Sequence, residues 1–129
     1  MVDFNGVIGI VFQDTKPNKF VLIHNQKTNN ITFPSGGRKE NESSLENIKR
    51  ELKEETGLLE PDYELIKLPL IHEFVYDSIK DQRSGQKAIQ DIYLVKTKKI
   101  NLEPFDSDSK IYGWFLESEV LEELTFLDS

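Results

Sequence analysis

The sequence predicts an α/β fold in which a mixed β-sheet lies between helices, formed as a single domain over residues 1–129. Short runs of β-branched and apolar residues, separated by turn formers, occur on both sides of one strongly patterned helical segment. A second, shorter helical pattern follows the last of these runs, so helices are available to cover the sheet. A chain of 129 residues suits one domain with a hydrophobic core and is too short for two comfortable ones.

The first half of the chain carries three strand signals. The runs GVIGIVF and KFVLIHN predict two strands, because Asp, Pro and Asn between them favour a turn. The short run ITF predicts a third strand, and the segment PSGG after it predicts a loop. We expect the two glycines of this loop to adopt backbone conformations that other residues rarely adopt.

A helix is predicted from Ser43 or Ser44 to Thr56. Ser43 and Glu46 have the spacing of a capping box, and Gly57 suits the left-handed position just after a helix end. Three apolar residues at helical spacing predict the face that packs on the sheet. These residues are Leu45, Ile48 and Leu52.

The second half of the chain predicts further strands and a closing helix. The runs YELIKL, LIHEFVYDS and AIQDIYLVKT predict three strands, the last two joined by a polar loop. IYGWFL predicts a short final strand. In the tail ESEVLEELTF, apolar residues at helical spacing predict a short helix.

The net charge of −7 argues against stable binding to nucleic acid or to an anionic membrane, because both attract clustered cations. An anionic small-molecule substrate would need metal ions or a local basic patch. The absence of cysteine excludes disulfides, thiolate metal sites and a cysteine nucleophile. The N-terminal run has no basic leader and is shorter than the roughly 20 residues of a membrane span, so we expect a cytoplasmic protein. The sequence does not indicate an oligomeric state.

Three glutamates of the predicted helix, Glu51, Glu54 and Glu55, fall at positions i, i+3 and i+4 and therefore share one face. Carboxylate oxygens gathered at this spacing are the ligands that Mg²⁺ or Mn²⁺ prefers. The spacing also suits a solvated helix face, because glutamate is a good helix former and charge runs usually face water. Spacing alone leaves both interpretations open.

A longer pattern contains these glutamates. Five residues separate Gly36 from Glu42, and seven more separate Glu42 from the run RELKEETGL. This pattern resembles the Nudix box of the Nudix hydrolases at each position that the box specifies. The matching residues are Gly36, Glu42, Arg50, Glu51, Leu52, Glu54, Glu55, Gly57 and Leu58. The resemblance implies the Nudix fold and an enzyme in which water attacks a phosphorus of a diphosphate linked to a further moiety.

The resemblance also implies roles for individual residues. Glu51, Glu54 and Glu55 would bind Mg²⁺ or Mn²⁺, with the backbone carbonyl of Gly36 as a further ligand. Glu51 is also a candidate to orient or deprotonate the attacking water. Arg50 would hold the glutamates in place through its planar guanidinium.

Further acids lie before and after the helix. We expect Glu42 to stabilise Arg50 or the loop rather than to bind metal. The stretch DSDSKIYGW offers Asp106 and Asp108, and Asp108 stands six residues before Trp114. This spacing is similar to a stretch of the asymmetric diadenosine tetraphosphate hydrolases, with Tyr112 at the tyrosine position. The similarity implies that Asp108 is a metal-side acid; capping of a turn is the alternative.

Three residues are candidates for substrate binding. Tyr76 lies eighteen residues after Leu58, where those hydrolases carry a tyrosine that could stack on a purine. A half-buried position in a strand is the alternative for Tyr76. Lys87 could meet distal phosphates or simply be solvated, and Arg38, inside the box, is the third candidate.

The resemblance implies a nucleotide substrate, and a dinucleoside polyphosphate such as diadenosine tetraphosphate is the first expectation. One alternative is a nucleoside triphosphate pyrophosphatase that removes oxidised nucleotides; another trims the 5′ end of RNA. A non-catalytic Nudix module that senses a nucleotide is an alternative of a different class, and a scaffold domain is a third. The presence of each acid of the box favours an enzyme.

Overall fold

A computed structural model describes residues 4–75 and 87–124. Within these ranges the chain forms seven strands and two helices. In chain order they are β1 Phe4–Gln13, β2 Lys19–Asn25, β3 Asn30–Thr32, β4 Ser35–Gly37, α1 Ser44–Thr56, β5 Tyr63–Val75, β6 Lys87–Thr97, β7 Ser109–Leu116 and α2 Glu117–Glu123. The predicted α/β architecture, a mixed sheet with two helices, is confirmed.

Strand β1 organises the sheet. On one edge it pairs in parallel with β6, and on the other edge it pairs antiparallel with β4 through residues 6–8 and with β2 through residues 12–13. The strand order is β3-β2-β1-β6-β5, with β7 paired to β2. The short strand β4 therefore lies beside the N-terminal half of β1, directly before the loop that enters α1.

Helix α1 has the ends that the sequence predicts. The Ser43 hydroxyl accepts a hydrogen bond from the Glu46 amide at 3.1 Å, and the Glu46 carboxylate accepts one from the Ser43 amide at 2.9 Å. Gly57 follows the helix with φ of 77°, and its amide donates to the Lys53 carbonyl. A Cβ at this position would also overlap the Glu103 carbonyl, so two independent constraints require glycine here.

The core lies between α1 and the sheet. Ile48 and Leu52 are fully buried, and burying each contributes about 2 kcal/mol. They pack with apolar residues of the strands and of the segment after α1, namely Val7, Val11, Val21, Leu58, Tyr93 and Val95. The prediction that Leu45 belongs to this packing face is wrong, since Leu45 is 46% exposed and the buried part of α1 begins at Asn47.

Two other local predictions need correction. The predicted strands 63–68 and 70–78 are not separate within the described residues: residues 63–75 form one strand, β5, whose register with β6 shifts between Lys67 and Ile71. Pro69 lies in that interval, where its missing N–H removes no ladder hydrogen bond. Residues 76–78 lie outside the described residues. Gly36 and Gly37 form strand β4 with β1 and do not have positive φ, so the expected special backbone conformation is absent.

Helix α2 packs against β7 and β2, and Val120 is its buried residue. Neither described helix combines the length and the apolar composition that crossing a membrane requires. The cytoplasmic location and the absence of nucleic-acid binding stay predictions.

Candidate active site

Arg50 lies at the centre of a cluster of carboxylates at the outer edge of α1. Its Nε and Nη2 donate to the two oxygens of Glu42 at 2.7 and 3.0 Å. Its Nη1 donates to Glu51 at 2.6 Å and to Glu54 at 2.9 Å. Nη2 also donates to the Gly37 carbonyl at 2.8 Å. One planar guanidinium thus fixes three glutamates and the end of β4, which a lysine ammonium could not do with the same geometry.

Glu42 reaches this cluster from the loop before α1. Its two-point contact with Arg50 is the main reason that its pKa is lowered, and the same contact raises the pKa of Arg50. Glu42 also accepts a hydrogen bond from the Lys39 amide at 2.9 Å. The side chain therefore ties the loop to Arg50, in the position that the sequence predicts for it.

Glu51 is the most enclosed of the cluster, with a side chain only 10% exposed. Its carboxylate lies against Gly36, and a Cβ at Gly36 would overlap it. Burial raises the pKa of Glu51 to about 7, opposed by the charge of Arg50 and reinforced by that of Glu54. Glycine is thus required at position 36 because the Glu51 carboxylate comes so close, and not because of the backbone angles there.

Glu55 lies one helical turn after Glu51. It accepts a hydrogen bond from the Ser35 amide of β4 at 2.7 Å. Its pKa is raised to about 8, mainly by burial and also by the charges of Glu51 and Asp106. Glu51 contacts the Arg50 guanidinium, whereas the half-buried Glu55 is held by a neutral backbone amide, so negative charge is in excess at this site.

The loop before β7 closes over the C-terminal end of α1. The amides of Phe105 and Asp106 both donate to the Glu54 carbonyl, at 2.9 and 2.8 Å. The acid of this loop that acts on Glu55 is Asp106. Asp108, the predicted metal-side acid, takes part in the turn through its main chain, donating to Asp106 Oδ1 at 2.9 Å and accepting from the Gln26 amide. Asp106 is thus the acid of this loop whose charge acts on Glu55, and the metal-side role of Asp108 stays a prediction.

Strand β4 runs along α1, and successive residues of β4 contact residues of α1 that are about one helical turn apart. Ser35 contacts Glu55, Gly36 contacts Glu51, and Gly37 accepts from Arg50 and from Asn47. Sequence reasoning missed Asn47, which is fully buried and whose Oδ1 has no hydrogen-bond partner among the described residues. The sequence signal that could have found Asn47 is a polar residue directly before Ile48 of the apolar face and four positions before Glu51.

Two of the three predicted substrate-binding residues, Arg38 and Lys87, lie among the described residues, and each forms an ion pair with an acid outside the Arg50 cluster. Arg38 directly follows Gly37, but its guanidinium points to Asp91 of β6, at 3.5 Å. Lys87, at the start of β6, forms an ion pair with Glu73 of β5 at 2.6 Å. Tyr76 lies outside the described residues.

The residues of the cluster fit a divalent cation in their chemistry. They offer hard carboxylate oxygens and a backbone carbonyl, with an excess of negative charge that a cation would neutralise. Within residues 4–75 and 87–124, no three acidic or histidine side chains already converge on one point. The contacts explain this arrangement, because Glu51 and Glu54 are turned toward Arg50 and Glu55 toward Ser35.

Comparison with known proteins shows the family of the chain. A model of the NUDIX domain matches residues 4–128. The chain belongs to the NUDIX domain family. The predicted resemblance, the Nudix fold and the enzyme class of Nudix hydrolase are confirmed by this match, and members of the family generally use divalent metal ions.

Solved structures of other Nudix proteins have the same fold at low sequence identity. The Ap4A hydrolase of C. elegans is 15% identical, with a TM-score of 0.71 over 95% of this chain and 86% of that chain. The NUDIX domain of Shewanella oneidensis NrtR, complexed with ADP ribose, is 15% identical, with a TM-score of 0.74 over 95% and 79%. The E. coli dihydroneopterin triphosphate pyrophosphohydrolase is 13% identical, with a TM-score of 0.74 over 95% and 86%. No curated protein sequence matches the chain.

Proposed function

We propose that this Nudix protein is a divalent-metal-dependent hydrolase that cleaves a phosphoanhydride bond in a dinucleoside polyphosphate such as diadenosine tetraphosphate. The observation that carries the proposal is the Arg50 cluster, in which one guanidinium aligns Glu42, Glu51 and Glu54. A folding role does not account for two buried carboxylates with raised pKa values beside it. Such groups cost stability and are typical of functional sites.

Glu51, Glu54 and Glu55 would hold Mg²⁺ or Mn²⁺, with the Gly36 carbonyl as a further ligand. When bound, the metal would neutralise phosphate charge and hold the diphosphate in place. Glu54 suits contact with ligand, since its side chain is 33% exposed while Glu51 is nearly enclosed.

Glu51 is proposed to take the proton of the attacking water. Burial raises its pKa to about 7, and a general base acts best when its pKa is near the working pH. The water oxygen forms a bond to phosphorus, the anhydride P–O bond breaks, the proton passes to Glu51, and the phosphate on the far side leaves. Arg50 donates to the carboxylate at 2.6 Å and keeps it aimed throughout.

The substrate class rests on the spacing of Asp108, Tyr112 and Trp114 and on Tyr76, which resemble the asymmetric diadenosine tetraphosphate hydrolases. Tyr112 offers an aromatic surface, 43% exposed and stacked on Phe115 at 5.5 Å. The fold alone does not select a substrate, because similar structures include an Ap4A hydrolase, an ADP-ribose complex and a dihydroneopterin triphosphate pyrophosphohydrolase.

A substrate panel tests the proposal. Purified protein with Mg²⁺ or Mn²⁺ is given diadenosine polyphosphates, nucleoside triphosphates including oxidised ones, ADP-ribose and 5′-triphosphorylated RNA, and products are separated by chromatography. We expect diadenosine tetraphosphate to give the highest kcat/KM, with products that include ATP and AMP, and no cleavage with excess EDTA. A preference for triphosphates or RNA ends would contradict the substrate class. Binding without cleavage of any compound would indicate a nucleotide sensor and contradict the enzyme.

A further inference from the structure

A second group of charged residues lies beside the N-terminal end of α1, apart from the Arg50 cluster. Its centre is Asp91 of β6, whose Oδ2 accepts a hydrogen bond from the Ser44 hydroxyl at 2.6 Å. The same oxygen lies 3.5 Å from Arg38 Nη2 and 3.7 Å from Lys67 Nζ. Tyr93 adds its hydroxyl, 2.9 Å from that of Ser44. We call these five residues the Asp91 cluster.

The Asp91 cluster has an excess of positive charge. Two cations share one carboxylate in it. Other lysines of the described residues pair one cation with one carboxylate, as in Lys49–Glu60, Lys96–Asp14 and Lys99–Asp62. In a chain with a net charge of −7, a group with net positive charge beside an acidic site offers a place for an anion.

The two cations are held loosely and have donors to spare. Charge-assisted N–H···O bonds are normally about 2.7–2.9 Å long, so contacts of 3.5 and 3.7 Å leave both groups free to turn to another acceptor. The side chains of Arg38 and Lys67 are 31% and 55% exposed, so an anion in solution can reach them. Asp91 is different, because the Ser44 hydroxyl anchors it and its side chain is 18% exposed.

The Asp91 cluster is close to the proposed catalytic acids. Ser44 and Glu51 lie two turns apart on the same face of α1, which is about 10 Å along the helix axis. Arg38 is also the next residue after Gly37, whose carbonyl accepts from Arg50. An extended anion whose reacting phosphate lies at the glutamates therefore has further negative charge within reach of Arg38 and Lys67.

We propose that Arg38 and Lys67 form an anion subsite for phosphate groups beyond the bond that is cleaved, and that Asp91 is the counter-ion this phosphate replaces. The subsite favours substrates that carry more than two phosphates, as a dinucleoside polyphosphate does. That the bound phosphates belong to the substrate rests on the proposed function, whereas the existence of the anion site does not.

The test measures binding without catalysis. Inorganic tripolyphosphate is titrated into the metal-free full-length protein at low ionic strength, followed by calorimetry. We expect Arg38→Gln and Lys67→Gln each to weaken binding roughly tenfold, because each removes a charge-assisted contact. Lys49→Gln is the matched control, since it removes a positive charge from α1, where Lys49 pairs with Glu60 away from the subsite, and it should bind like the wild type. Asp91→Asn should bind several-fold tighter, because asparagine can still accept from Ser44 but no longer competes for the cations.

Each contrary outcome overturns the proposal. Equal affinity of wild type, Arg38→Gln and Lys67→Gln would show that no subsite exists, and a loss as large in Lys49→Gln would show only general charge attraction. Weaker or unchanged binding in Asp91→Asn would overturn the counter-ion role, provided that urea unfolding shows the variant to be folded. If tripolyphosphate binds as expected but no dinucleoside polyphosphate is cleaved, the anion site stands and the proposed function fails.

Discussion

At Gly36, the missing side chain leaves the space that the Glu51 carboxylate occupies. The carboxylate is nearly enclosed, so an added methyl group can be accommodated only if the carboxylate or β4 moves. Gly37, the next residue, is different, since the nearest atom to a Cβ there is the Asn5 carbonyl oxygen at 3.9 Å, an ordinary contact. Of these two adjacent glycines of β4, the surroundings therefore require glycine at Gly36 and leave room for a side chain at Gly37.

The first prediction compares these two positions. Gly36→Ala should lower kcat by about 100-fold, because it displaces the carboxylate that acts on the reacting water. Gly37→Ala should keep a kcat within a few-fold of the wild type. Both are measured by steady-state hydrolysis of the best substrate with Mg²⁺. Equal effects of the two substitutions would show that the close approach of Glu51 to Gly36 is unimportant.

At the scale of single elements, α1 separates two leucines that the sequence pattern treats alike. Leu45 and Leu52 both lie at helical spacing with Ile48, yet Leu45 is 46% exposed and Leu52 is fully buried. Leu45 is in the first turn, ahead of the point where burial begins. Periodicity gives the direction of a side chain around the helix axis but not where along the axis the packing partner starts.

The second prediction follows from this difference in burial. Leu52→Ala should lower the free energy of unfolding by about 2–5 kcal/mol, because it leaves a cavity in the core. Leu45→Ala should lower it by less than about 1 kcal/mol, since an exposed leucine has little contact to lose. Urea unfolding followed by circular dichroism measures both values. A larger loss for Leu45→Ala would contradict the described packing.

Patterns of neighbouring residues predicted the helices and strands well, but they predicted poorly which distant segments contact each other. The capping box at Ser43 and the left-handed Gly57 were predicted because they depend on residues within one helical turn. The pairing of β4 with β1 and the register shift of β5 around Pro69 depend on partner strands that are far away in the sequence. For the site, the box predicted the Arg50 cluster, but the turn around Asp106 is set by its contact with the end of α1, which spacing from Trp114 does not reveal.

At the scale of the whole molecule, the excess negative charge at the site should make stability depend on pH. A carboxyl whose pKa is raised on folding binds its proton more tightly in the folded state, so it favours folding at low pH and loses this contribution as pH rises. For Glu51 and Glu55 the window runs from the ordinary carboxyl pKa of 4.5 to about 7 and about 8. The lowered pKa of Glu42 makes stability rise with pH, but this effect falls below the window because it ends near the ordinary carboxyl pKa of 4.5.

The third prediction is therefore that the free energy of unfolding of the metal-free protein falls between pH 5 and pH 8. Urea unfolding at intervals across this range, with EDTA present, measures the slope. Glu55→Gln should flatten the slope, because glutamine is neutral at every pH, and Glu40→Gln, an exposed residue of the same box, should not change it. A stability that rises with pH across the window would contradict the raised pKa values that burial gives these two carboxyl groups.

The central claim is that the glutamates aligned by Arg50 form a metal-dependent catalytic site. Glu54→Gln tests it most directly, because the partly exposed carboxylate loses its charge while the side chain keeps its size, and Glu40→Gln is the matched control. With Mg²⁺ present, we predict that Glu54→Gln lowers kcat for diadenosine tetraphosphate, or for the best substrate of the panel, by at least about 100-fold without unfolding the protein. Glu40→Gln should keep wild-type turnover. Wild-type turnover in folded Glu54→Gln would contradict the claim.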